Sequence, residues 1–137
     1  MLRVALSILL LALPATAGGD ISIRKGSSSW ARLDSDGSVY IGSSKKGRIE
    51  SNGGIYVGST RKGKVESDGD IYIGSSRLGK VESDGDVYIG SSNKGRIESD
   101  GDIYVGSTRW GSADSCCDAE EMRRVAALLI VFGEVWQ

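Results

Sequence analysis

The chain alternates short runs of branched apolar residues with polar, glycine-rich breaks, and this pattern repeats every 16 residues. Five units follow one another without an insertion, at 31–46, 47–62, 63–78, 79–94 and 95–110. Each unit has a basic residue at position 2, a branched apolar residue at 3, an acid at 4, Gly at 7, and Tyr at 10 between two Ile or Val residues. This alternation predicts short antiparallel strands, and the fixed period predicts units that bury their apolar faces on one another.

Each unit is predicted to be a β-hairpin, and two registers compete for it. A two-residue turn at positions 6 and 7 would pair the acid at position 4 with an apolar residue at 9. A three-residue Ser-Asp-Gly loop, with glycine in the left-handed conformation, instead places 4 opposite 8, 3 opposite 9 and 2 opposite Tyr at 10. We favour the second register because it gathers positions 3, 9 and 11 on one apolar face. The predicted core consists of Leu33, Val39, Ile41, Ile49, Ile55, Val57, Val65, Ile71, Ile73, Val81, Val87, Ile89, Ile97, Ile103 and Val105.

The residues that flank the five units could complete a further, split hairpin. Residues 22–30 match positions 8 to 16 of the repeat, and residues 111–115 match positions 1 to 5. Paired with each other, these flanks would close the array and hide its edge strands, with Trp30 and Trp110 beside the closure. The predicted fold class is therefore all-β, a closed pseudo-symmetric array of five to six short antiparallel β-hairpins, plus one C-terminal α-helix.

The Asp-Gly hairpins with Ile-Tyr-Ile-Gly-Ser-Ser strands resemble the small bacterial β-flower-type hairpin repeat proteins. The resemblance covers roughly residues 20–115. It implies hairpins that radiate around a pseudo-symmetry axis, and it implies no activity, since such domains are generally of unknown function.

The segment after the array is predicted to be a helix over about 119–132. Asp118 and Glu121 form a capping pattern, and residues 128–132 are apolar on every side. We expect the helix to pack on the apolar face of the array; the alternative is that it meets a partner or a membrane surface. The expected organisation is a signal peptide at 1–17, a repeat domain at 18–115 and a C-terminal apolar helix at 116–137.

The N-terminal residues predict export from a bacterial cell, to the periplasm or to the outside. Arg3 precedes the apolar stretch 4–13, and Ala15-Thr16-Ala17 forms a small-residue cleavage site. Without this segment the chain has 16 basic and 18 acidic residues, a net charge of −2. Because backbone binding to nucleic acid requires a positive surface, we expect no nucleic-acid partner.

Composition argues against an enzyme. The chain has no His, which removes the commonest general base and metal ligand. Its many acids repeat in equivalent positions, whereas a catalytic carboxyl pair needs two different environments. We therefore expect no catalytic residues and no cofactor. Cys116 and Cys117 are too few for a disulfide scaffold, but either could link two chains into a homodimer.

Two surfaces could bind a ligand. The five tyrosines at position 10 would form an aromatic stripe suited to a glycan or a peptide, or they would simply cover their basic neighbours; they are Tyr40, Tyr56, Tyr72, Tyr88 and Tyr104. The acidic turns are expected to be ordinary turn chemistry and no metal site, with calcium as the weaker alternative at Glu66, Asp68, Asp70, Glu82, Asp84 and Asp86.

The sequence thus predicts an exported, non-enzymatic repeat module that acts as a structural or interaction scaffold. The alternative is a module that binds glycan through the tyrosines or, less readily, calcium through the acidic turns. A protein partner is also compatible with the sequence, which identifies none.

Overall fold

The computed structural model describes residues 19–137, so the signal peptide predicted at 1–17 lies outside the described residues. The elements are twelve strands and one helix, which we number β1 to β12 and α1 in chain order. They are β1 (Ile21–Lys25), β2 (Ser28–Leu33), β3 (Ser38–Ile41), β4 (Ser44–Ile49), β5 (Gly54–Val57), β6 (Thr60–Val65), β7 (Asp70–Ile73), β8 (Ser76–Val81), β9 (Asp86–Ile89), β10 (Ser92–Ile97), β11 (Asp102–Val105), β12 (Thr108–Asp114) and α1 (Ala119–Val131). Within residues 19–137, no helix has the length and the apolar character that are needed to span a membrane.

The strands form a closed antiparallel barrel in which every strand pairs with its neighbours in sequence and β12 returns to β1. The closing pair aligns Ser22 with Asp114 and Ile23 with Ala113. That is the register predicted for the split hairpin, so the barrel has six hairpins. Trp30 and Trp110 meet edge to face beside the closure, with ring centroids 5.5 Å apart. The predicted fold class is confirmed.

The hairpin loops have the three-residue form. In the second unit, the amide of Glu50 donates to the carbonyl of Gly54 at 2.8 Å, and the amide of Gly53 donates back to Glu50 at 2.9 Å. Gly53 has a φ of +95°, a conformation that residues with a side chain rarely adopt. Arg48 consequently lies opposite Tyr56 and Ile49 opposite Ile55. The predicted register is confirmed, and we call this end of the barrel the loop end.

At the other end, consecutive hairpins are joined by two-residue Gly-Ser turns, and we call this the turn end. Gly58, for example, has a φ of +63°, and Val57 pairs with Thr60 across the turn. Glycine at the first central position is typical of a type II′ turn, whose twist suits a hairpin. A bulge follows each turn, because position 16 of the repeat is skipped in the pairing. Position 16 therefore lies at the rim of the turn end.

The barrel lumen is filled by α1. Twelve strands about 4.8 Å apart, tilted by about 40°, enclose a backbone radius of about 12 Å. A helix with side chains has a radius of about 5–6 Å, which leaves room for one layer of strand side chains. All residues from Val125 to Ile130 are fully buried, and they form a single core with inward-facing residues of the barrel. The apolar face that the helix was expected to cover is thus the inside of the barrel.

The helix runs from the loop end to the turn end. Asp118 caps its start, since the side chain accepts from the amide of Glu121 at 2.8 Å, while the Glu121 carboxylate accepts from the amide of Asp118. Beyond its last turn, Phe132 lies against Gly47, and the indole of Trp136 donates to the carbonyl of Tyr104 at 2.9 Å. The helix is therefore held at both rims of the barrel.

The predicted core is confirmed for positions 3 and 9 of the repeat and only in part for position 11, where Ile41 and Ile89 pack against the core without being fully buried. Position 11 points inward but lies near the turn end, where the helix stops. Val57 and Val105 are 37% and 36% exposed, and Ile41, Ile73 and Ile89 are half-buried. An inward-facing residue is buried only where the helix reaches it, which the strand pattern could not show.

A methyl group added to Gly63 is expected to destabilise the barrel. Its Cβ would lie 1.9 Å from the carbonyl oxygen of Tyr72 in the neighbouring strand, so the backbone must shift. We expect Gly63→Ala to cost about 2–3 kcal/mol of unfolding free energy, measured by chemical denaturation. Gly19→Ala is the control, because nothing lies within 4 Å of its Cβ. Equal denaturation midpoints for the two variants would contradict the packing described here.

Shortening Leu128 tests whether the helix is part of the core. The side chain is fully buried in the lumen, so Leu128→Ala should lower the unfolding free energy by about 2–5 kcal/mol. Glu120→Gln, on the exposed first turn, should stay within about 0.5 kcal/mol of the parent. A small effect of Leu128→Ala would mean that the barrel is stable without its helix.

Candidate functional site

The outer face of the barrel carries a belt of tyrosines. We call Tyr40, Tyr56, Tyr72, Tyr88 and Tyr104 the tyrosine belt; all five are half-buried. Each pairs with the basic residue at position 2 of its own unit, as Tyr72 does with Lys64. On its other side Tyr72 pairs with Arg77. The predicted juxtaposition of tyrosine and basic residue is therefore present in all five units.

The basic residues cover the rings. The Arg48 guanidinium carbon lies 4.2 Å from the centroid of the Tyr56 ring, and the Lys64 ammonium lies 5.3 Å from that of Tyr72. These distances are in the range of a cation-π interaction, and the same contact recurs in the other three units. The cation therefore covers one face of each tyrosine ring. A flat ligand could stack only on the part of the ring that the cation does not cover.

Each covering cation is held by an acid two residues further along its strand. The Lys64 ammonium lies 2.9 Å from Glu66, and the hydrogen bond to that carboxylate raises the pKa of Lys64 above its ordinary value. The Arg48 and Glu50 side chains make the corresponding contact at 2.8 Å. The same set of one acid, one cation and one tyrosine ring thus recurs around the barrel. Because the ion pairs are largely solvated, they serve mainly to orient the cations.

The belt is interrupted at the split hairpin. There, Arg24 takes the place of the tyrosine and Ser112 the place of the basic residue. Arg24 instead pairs with Asp114 at 3.1 Å. The belt therefore occupies five of the six positions around the barrel.

Three of the loops at the loop end bring their acids together, among them the two that were weighed as a weak calcium alternative. The carboxylates of Glu66, Asp68 and Asp70 lie within 4.8 Å of one another, as do those of Glu82, Asp84 and Asp86. A third group of the same kind consists of Glu98, Asp100 and Asp102, which were not among the predicted candidates. The identical spacing of the fifth unit was the signal that could have identified it.

Protein groups already engage most of these carboxylates, as the first group shows. Asp68 accepts from the amide of Asp70 at 3.0 Å, which is the ordinary role of Asp in a tight turn. Glu66 pairs with Lys64, and Asp70 pairs with Arg77 at 3.1 Å. A calcium ion would have to compete with these partners, so the geometry favours the turn interpretation, and calcium binding stays an untested alternative.

Grooves at the loop end lie between the loops and the start of α1. One, of about 390 Å³, is lined by Ser67, Asp68, Glu82, Asp84 and the helix residue Arg123, among others. The neighbouring Arg124 donates to the carbonyl of Ile49 at 3.3 Å. Sequence reasoning missed both arginines, because nothing in the chain showed that the helix would start beneath these loops.

Cys116 and Cys117 are bonded to each other, immediately before the helix. They are half-buried, and the amide of Cys117 donates to the carbonyl of Ser99 at 2.9 Å. The described residues contain no free cysteine. The homodimer through Cys116 or Cys117 considered from the sequence would require this bond to be exchanged, so the two arrangements exclude each other.

No family model, curated protein or solved structure matches the chain. The resemblance to β-flower-type hairpin repeats therefore stays a prediction, and the site has to be interpreted from its own geometry.

Asp36, in the loop of the first unit, should contribute to stability in a pH-dependent way. Hydrogen bonds from Ser38 to Asp36 lower the pKa of Asp36 below its ordinary value of 3.8. A carboxyl whose pKa is lowered by folding stabilises the folded state above its ordinary pKa, and this contribution is lost as the pH falls through the lowered value. Stability should therefore decline as the pH falls below about 4.

The chain offers a matched variant for this test. Asn52 occupies the same loop position in the second unit, and its amide oxygen accepts from Gly54 at 3.0 Å. Asp36→Asn should thus keep the turn but lose this part of the pH dependence, in melting temperatures recorded between pH 2 and 7. Asp36→Ala should be less stable at every pH. If the parent and Asp36→Asn respond to acid in the same way, Asp36 makes no such contribution.

Proposed function

We propose that the mature chain is an exported, non-enzymatic module that acts as a structural or interaction scaffold through its outer surface. The observation that carries this proposal is the filled lumen. A barrel of this width could enclose a ligand, as smaller barrels do. Here its own helix occupies that space, with residues 125–130 fully buried. Contacts with other molecules are left to the belt and the two rims.

The construction of the barrel supports a role that needs a rigid body. The sheet is closed, so it presents no unpaired edge to other chains. Successive units are also joined at the loops, since the carbonyl of Gly53 accepts from Val65 and that of Gly69 from Val81, at 2.8 and 3.0 Å. Because these contacts repeat around the ring, each hairpin is fixed by both neighbours.

The repetition also argues against catalysis. The three acidic groups of the loop end share one geometry, and each acid at position 4 has the same kind of basic neighbour. General acid and base chemistry needs carboxyls whose environments separate their pKa values. Equivalent surroundings do not provide that difference.

Glycan binding by the tyrosine belt is the alternative. It is favoured by the regular spacing of five rings with polar neighbours, which suits a repeating ligand. The cations that already cover the rings argue against it, since a sugar would have to displace the cation-π contact between each tyrosine and its basic neighbour. The same rings serve as structural cover in the scaffold proposal.

Removing two rings separates these functions. In the scaffold proposal, the double variant Tyr72→Ala/Tyr88→Ala loses about 1–2 kcal/mol of unfolding free energy per ring, and no saccharide changes the melting temperature of the parent. The measurement is a thermal-shift scan of residues 18–137 with soluble cell-wall and polysaccharide fragments, and with calcium and a chelator control.

The matched control is Tyr72→Phe/Tyr88→Phe, which keeps the aromatic faces and their cations. A saccharide that stabilises the parent and the Phe variant but not the Ala variant would replace the scaffold proposal with glycan binding. A shift with calcium that the chelator reverses would assign the acidic turns as metal sites.

A further inference from the structure

The two ends of the barrel carry opposite charge. Of the 18 acids in the chain, 17 lie in or beside the loops of the loop end, including those of the helix start; the exception is Glu134. The strand segments that flank the Gly-Ser turns hold nine basic residues and no acid. The overall net charge of −1 therefore conceals a separation of charge along the barrel.

Most of the basic residues at the turn end are free to meet a partner. Three of the nine pair with acids further down the barrel, namely Arg24, Arg77 and Arg109. The other six are exposed and form no ion pair within residues 19–137; they are Lys25, Lys45, Lys46, Arg61, Lys62 and Lys94. Together they flank four of the six turns at this end, and we call these six residues the basic rim.

The basic rim surrounds an apolar centre. The inward-facing residues at position 11 are only partly covered here, and Val57 and Val105 are the exposed large apolar residues of the described chain. Trp30 and Trp110 stand half-buried at the same rim. A groove of about 260 Å³ opens between Val57, Ile73 and Leu78 on the barrel and Ile130 and Val131 on the helix. Three polar residues, Lys62 and the exposed Glu134 and Gln137, also line it, so one acid lies within the basic rim.

We propose that the turn end docks onto an anionic lipid surface. Such a surface offers negative headgroups to the basic rim and an apolar phase to the residues inside it, and tryptophan is common at this boundary. This inference rests on the proposed function, since it names a partner for a module that works through its outer surface.

Two other occupants fit less well. A second copy stacked end to end would bring the acidic loop end onto the basic rim, but it would set the apolar centre against charged Ser-Asp-Gly loops. An anionic polymer would satisfy the basic rim alone and leave the apolar centre open to water. The lipid surface is the occupant that matches both features.

The charge separation also sets the orientation. A negatively charged surface attracts the turn end and repels the loop end, so the barrel axis stands upright on the membrane. The acidic loops and the Cys116–Cys117 pair then face away from the lipid, while the tyrosine belt faces sideways.

The test is a flotation assay with residues 18–137, so that the signal peptide does not itself insert. Vesicles contain phosphatidylglycerol and phosphatidylcholine at a ratio of 3 to 7, or phosphatidylcholine alone. We expect the protein to float with the anionic vesicles at low salt, to dissociate as salt is raised, and to stay free of the neutral ones. The tryptophan emission should shift to the blue on binding, owing to Trp30 and Trp110.

Two triple variants with the same change in net charge locate the surface. Lys46→Gln/Lys62→Gln/Lys94→Gln removes half of the basic rim and should lower the partition coefficient by about tenfold or more. Lys64→Gln/Lys80→Gln/Arg96→Gln removes three cations from the side of the barrel and should leave the partition coefficient within about twofold of the parent. Circular dichroism confirms that both variants are folded.

The inference is overturned if the parent does not float with anionic vesicles at low salt, if it binds neutral vesicles equally, or if the two triple variants lose binding to the same extent. End-to-end self-association without flotation, seen in sedimentation, would assign the basic rim to a second copy. None of these results touches the scaffold proposal, which fails only through a ligand response in the thermal-shift scan.

Discussion

The structure depends on the match between the width of a twelve-stranded barrel and one α-helix. Smaller barrels fill their interior with strand side chains, but twelve strands leave a central space that these side chains do not reach. An unfilled apolar space of that size would forfeit the packing that makes burial favourable. The helix supplies the missing core, and this is why residues 128–130 are apolar on every side: between Val125 and Ile130 no face of the helix meets water.

The same match explains several details of the repeat. Position 1 is glycine in every unit but the first, and Gly47 and Gly95 leave room for Phe132 and Trp136 at the end of the helix. Position 11 tolerates exposure because the helix ends before it. The outer face of the barrel does not pack against the core. It carries the cation-covered tyrosines and the solvated ion pairs, which recur from one unit to the next.

Repetition along the chain produces polarity along the barrel. Since every unit places its acids beside the three-residue loop and one or two of its bases beside the Gly-Ser turn, ring closure gathers like charges at each end. A composition that is nearly neutral overall then becomes a body with a negative rim and a positive rim. Functional proposals for this chain have to consider the two rims separately, because the net charge averages them.

The sequence by itself determined the hairpins, their register and their closure. Strand alternation and turn chemistry act over a few residues, so local rules were sufficient for the hairpins and their register, whereas the matching flanks indicated a sixth hairpin but left five or six open. The same rules placed Tyr72 opposite Lys64 and brought Glu66, Asp68 and Asp70 together.

Only the tertiary structure decided what lies inside the ring. The helix could be foreseen from Asp118 and Glu121, but not its place in the lumen, the exposure of Val57, or the position of Arg123 and Arg124 beneath the loops. These follow from the width and closure of the whole barrel, a property of six units together that no single unit contains.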